Sequence, residues 1–137
     1  MGISKYNSEG YADPTAHEAM RNIENELKKW RPLVYICSAY SGDIEANTQK
    51  ARNYSRFAVD RGAIPLAAHL LLPQFMSEKN ERDLALFMDM VLMGKCEEVW
   101  VFGTTITSGM AAEIAKAKKK NMTIRYFAED CKEITEE

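Results

Sequence analysis

Two five-residue runs, Leu33–Cys37 (LVYIC) and Glu98–Phe102 (EVWVF), constrain this chain more than any other feature. Each is short, largely apolar and rich in β-branched and aromatic residues, as expected of a strand buried on both faces. Each also gives way to a small-residue loop and then to a helical pattern. The first is followed by Ser38–Asp43 and a helix over 44–61, with apolar positions at Ile44, Ala51, Tyr54, Phe57 and Ala58 and a closing glycine at Gly62. Ala63–Ala67 reads as a second strand, followed by a loop through His69 to Pro73. A helix over 80–94 leads to the EVWVF strand, and a helix over 109–120 to a last strand, Met122–Phe127. Four strand–helix units in succession predict an α/β fold, a flavodoxin- or Rossmann-like three-layer sandwich. It has a small parallel sheet of order near 2-1-3-4 with helices on both faces. Ligands of such sheets bind beyond the carboxyl ends of the strands, where the strand order reverses. Here that crevice falls among residues 38–43, 68–74 and 103–113.

The chain ends add little chemistry. Residues 1–12 read as an irregular arm. A helix over 13–30 should follow, with Asp13 as cap and Pro14 in its first turn. Its stripe of Ala16, Met20, Ile23, Leu27 and Trp30 is expected to face a core. The 137 residues make one domain. Residues 129–137 hold five acids against one lysine, so a chain of net charge −2 has a body of about +2. That charge suits one small anion and is too weak for a nucleic-acid polymer. The sequence predicts no membrane segment or secretory leader, and a cytoplasmic protein whose Cys37, Cys96 and Cys131 stay reduced. No cofactor is expected. No metal is expected either, because His17 is remote and no ligand cluster accompanies His69 in sequence. Met76, Met88, Met90 and Met93 suggest core or a subunit interface.

Within the crevice, Ser38, Tyr40, Ser41 and Gly42 form a small, hydroxyl-rich loop before a helix N-terminus, a setting for an anion or simply a capped connection with Asp43 as cap. Gly103 through Ser108 and Gly109 do the same before the next helix. Glu113 lies one turn further on, where a carboxylate can act as nucleophile, base or hydroxyl anchor, or only complement the helix dipole. Asp89 interrupts an apolar helical stretch and is either exposed or held inside for a purpose. Helical spacing gathers Leu84, Met88, Val91 and Leu92 beside it. His69 directly follows the second strand and faces the same crevice, and Tyr35 alternates with core positions of the first strand.

Val34–Gly42, Gly62 with Pro65–His69, Asp89 with Cys96–Phe102, and Ser108–Ile114 together resemble the nucleoside 2-deoxyribosyltransferase-like superfamily, and within it the DUF4406/DUF7768-type branch of bacterial and phage genomes. Glu9–Ala16 is similar to the same branch. The resemblance implies a Glu nucleophile, Glu113, that attacks the anomeric carbon. Asp89 and Tyr35 complete the catalytic set, and Ser38, Tyr40, Ser41, Gly42, His69, Gly103, Ser108 and Gly109 bind substrate. The implied substrate is a nucleoside or nucleoside monophosphate, and the implied assembly a homodimer or higher homo-oligomer. Thr104-Thr105-Ile106 lacks the acidic residue that usually meets the base, and Ala111 and Ala112 also depart from the pattern, which leaves the base unassigned. The competing expectation is a non-catalytic module that senses or sequesters a nucleotide-derived ligand.

Overall fold

The structure, a computed structural model, describes residues 14–27, 30–77 and 79–135. The expected arm over 1–12 and the cap Asp13 lie outside the described residues. Two compact units divide at Arg31–Pro32. The first contains helix α1, Pro14–Leu27. Of its expected apolar stripe, Ile23 is 50% exposed, and Trp30 lies beyond the helix at 73%.

The second unit runs β1 (Leu33–Cys37), α2 (Ile44–Asp60), β2 (Ile64–Leu66), α3 (Ala68–Leu71), a 3₁₀ turn (Leu72–Gln74), α4 (Arg82–Gly94), β3 (Glu98–Phe102), α5 (Ser108–Lys119), β4 (Thr123–Phe127) and β5 (Glu133–Ile134). The sheet order is β2-β1-β3-β4-β5, and the first four strands are parallel, as the sequence predicts. Two expectations need correction. Residues 68–71 are helical where a loop was expected, and the acidic tail supplies a fifth, antiparallel edge strand. Cys131 turns the chain with φ +68°, and Arg125 holds Glu133 through two bonds of 2.6 and 2.7 Å, which draws the tail back along β4.

Side-chain alternation along the strands divides the core in two. Val34, Ile36, Trp100, Phe102 and Phe127 face α2, where Tyr54 and Ala58 cover them. Tyr54, Phe102 and Phe127 stack in succession, with centroids 4.3 and 4.9 Å apart. On the opposite face Tyr35, Cys37, Val99 and Val101 meet Met93 of α4 and Met110 and Ala117 of α5. Helices therefore lie on both faces of the sheet, as the sandwich requires.

The buried row of α4 is Ala85, Asp89 and Met93, not the group around Leu84 and Val91, which are 46% and 44% exposed. Ala85, Asp89 and Met93 set the inward face, and Leu84, Phe87 and Val91 turn outward. Among the described residues no helix is long and apolar enough to cross a membrane.

Phe127 is fully buried between Phe57, Trp100 and Phe102. Phe127→Ala should therefore cost about 3–5 kcal/mol in denaturant unfolding. Phe75→Ala, at a residue 68% exposed, should stay within about 0.5 kcal/mol of wild type.

Candidate functional site

Strand order reverses between β1 and β3: the chain leaves β1 for α2 on one face and β3 for α5 on the other. The crevice this creates is a cavity of about 260 Å³. The β1 loop contributes Ser38, Tyr40 and Ser41, α3 contributes His69, α4 contributes Arg82, Ala85, Leu86 and Asp89, and α5 with its cap contributes Thr107–Met110, Ala112 and Glu113.

Glu113 anchors the site. Thr107 caps α5, its Oγ1 accepting from the Met110 N–H at 3.2 Å, and the second turn then carries Glu113 inward to 1% exposure. Tyr35 and Cys37 point to the same side of β1, two residues apart, and both donate to this carboxylate. The Tyr35 hydroxyl bonds Oε2, and the Cys37 thiol bonds Oε1 at 3.4 Å. Burial raises Glu113 to about 7, and the two donors work against that rise. Tyr35 is pushed far above its ordinary range by burial, and further by the neighbouring Glu113 and Asp89. Cys37 is raised by burial and by Glu113. Both therefore remain protonated donors. Tyr35 does not line the cavity; it supports the floor through Glu113.

Asp89 is inside, 6% exposed, which resolves the two alternatives that the sequence left open. The His69 ring stacks on Tyr40 with centroids 5.0 Å apart, and burial lowers its pKa to about 4. In space, though not in sequence, His69 has two acidic companions. One ligand atom each from His69, Asp89 and Glu113 lie within 4.8 Å of one another. These residues come from three separate segments, so no spacing in the sequence announces them.

Of the remaining candidates, Ser38, Tyr40, Ser41, Ser108 and Gly109 line the cavity, whereas Gly42 and Gly103 do not. Both glycines have φ +97°, and each shapes its loop instead. The Gly103 N–H ties the β3 loop to the Phe127 carbonyl at 2.8 Å. Arg82 is a cavity residue the sequence reading missed. It begins α4 seven positions before Asp89, two helical turns away on the same face, and that spacing is the signal that could have found it. Cys37 was also missed as a partner of Glu113, since an apolar strand context reads simply as core.

Ser38 is 3% exposed, and among the described residues its Oγ has no hydrogen-bond partner. A buried hydroxyl left unpaired costs stability, so Ser38→Ala should leave unfolding stability unchanged or raise it by about 1 kcal/mol. A loss above about 1 kcal/mol in a urea titration would mean the hydroxyl is satisfied.

A family model described as "Domain of unknown function (DUF7768)" matches residues 32–127. That span runs from the residue before β1 to the end of β4 and contains every cavity residue. No curated protein matches the chain.

Proposed function

The chain belongs to the DUF7768 family, and on that premise we propose that it cleaves or transfers the N-glycosidic bond of a nucleoside or nucleoside monophosphate. The observation that carries this reading is the Glu113 carboxylate, buried at the cavity floor, held at both oxygens and beside a second buried carboxylate, Asp89. The likeness of these segments to nucleoside 2-deoxyribosyltransferases supports it.

In the proposed reaction a Glu113 oxygen bonds C1′ of the sugar as the C1′–N bond breaks. The electron pair leaves with the base, which takes a proton from Asp89 or from solvent. Water or a second base then attacks C1′ and releases Glu113, the acceptor's proton passing to Asp89. An Asp89 oxygen lies within 4.8 Å of a Glu113 oxygen, closer than the separation of about 6.5–9.5 Å that seats a water between the carboxyls of an inverting enzyme. Direct attack by Glu113 is therefore favoured. Tyr35 and Cys37 position the carboxylate. The Tyr40–His69 stack offers an aromatic face to the base.

Arg82, with the hydroxyls of Ser41 and Ser108, favours a 5′-phosphate on the substrate. The cavity is smaller than the range of about 300–1,000 Å³ usual for ligand pockets, so part of a nucleotide would extend beyond it, and the exposure of Arg82, Ser41 and Ser108 sets the phosphate toward the mouth. The expected self-association is proposed for the outer face of α4, where Leu84, Phe87 and Val91 are exposed. A monomer in light scattering at micromolar concentration would remove that part of the reading.

Chromatography of free base, after incubation with a panel of nucleosides and their monophosphates, tests the function. Glu113→Ala should lower turnover by about three orders of magnitude or more while the protein remains folded. Arg82→Ala should raise KM for monophosphates about 10-fold or more and leave nucleosides unaffected, as expected for loss of a charge-assisted contact. Turnover by Glu113→Ala equal to wild type would refute the nucleophile. Thermal stabilisation by a nucleotide with no base released from any of the panel would instead support the binding module.

A further inference from the structure

We propose that His69, Asp89 and Glu113 form a binding site for a first-row divalent transition cation, with Zn²⁺ and Mn²⁺ as the test ions. The inference goes beyond the glycosidic reading and does not depend on it.

Three observations carry it. The first is geometric: one ligand atom of each residue lies within 4.8 Å of the other two. With bonds of about 2.0–2.2 Å, the ligand atoms of a tetrahedral ion stand about 3.4 Å apart, so closing the three on a cation takes side-chain adjustments of under about 1 Å each. The second is orientation. The His69 ring is already fixed by its stack on Tyr40, and the Glu113 carboxylate by donors from Tyr35 and Cys37. Metal sites obtain this pre-orientation from the groups behind their ligands. The third is charge. Both carboxylates are more than nine-tenths buried, and the donors to Glu113 are a neutral hydroxyl and a neutral thiol. A divalent ion would supply the counter-charge these donors lack.

The donor set selects the class of ion. One imidazole and two carboxylates suit zinc, manganese and iron better than magnesium or calcium, which prefer oxygen alone. Three protein ligands leave coordination positions open toward the cavity, the arrangement of sites that hold a water or an exogenous ligand. Ser38, whose Oγ has no hydrogen-bond partner among the described residues, lies in the same wall. A cation there would engage the lone pair that Glu113 offers to C1′, so ion and glycosyl group are alternative occupants.

Isothermal calorimetry of the full, reduced chain with ZnCl₂ and with MnCl₂ is the test. Saturable binding of one ion per chain is expected, weakened about tenfold or more in both His69→Gln and Asp89→Asn. Circular dichroism melts would confirm that each variant is folded. A Cys96→Ser/Cys131→Ser double variant, which leaves Cys37 in place, should bind as wild type does. Absence of saturable heat for both ions would overturn the proposal. So would heat unchanged in both ligand variants, or abolished in the cysteine variant. Calorimetry needs no turnover, so the outcome is separate from base release: either result can fail alone.

Discussion

The site depends on a carboxylate kept where carboxylates are expensive to keep. Glu113 is buried in the face of the sheet that also holds Val99, Val101 and Met93, and burial alone would drive it toward the neutral acid. What holds it is a pair of donors that β1 presents two residues apart, so the pleat of one strand aims Tyr35 and Cys37 at the two oxygens of one side chain. Neither donor carries charge, so these two bonds orient the carboxylate without neutralising it. The consequences spread outward. β1 must be central and flat enough to carry both donors inward, α5 must start where Thr107 caps it, and α4 must bring Asp89 rather than a larger apolar residue to the cavity wall.

Much of this arrangement was legible in the sequence. The buried strands were visible because a doubly covered strand must be apolar throughout, and Gly62 marked the end of α2. Glu113 stood out because a hydroxyl- and glycine-rich loop opens its helix about one turn before it. The illegible parts follow from physics that a one-dimensional pattern does not carry. Asp89 was ambiguous because α4 is apolar nearly all round, and such a helix does not show which stripe will face inward. Leu84 and Val91 looked like core and are exposed because the tight approach goes to Ala85. β5 was unreadable because two residues in an acidic tail have almost no strand signal. Their pairing is imposed by a turn at Cys131 and by Arg125 gripping Glu133. The grouping of His69, Asp89 and Glu113 depends on topology alone.

The division of labour within the unit is sharp. The α2 face is built from stacked aromatics, with Tyr54, Phe102, Phe127 and Trp100 providing rigid bulk. The opposite face is built from smaller and softer side chains, and it carries the buried acids Asp89 and Glu113. One side of the sheet is thus a foundation, and the other accommodates polar groups at a cost in stability that the first side offsets.

The four residues of α3 are too few to sustain a helix by themselves. His69 therefore takes its ring position from Tyr40, across the gap between the segments that follow β1 and β2. These two aromatic rings act as a clasp between neighbouring loops. A change of residue at position 40 would consequently be felt at position 69, and through it at Asp89 and Glu113, without altering any of the three.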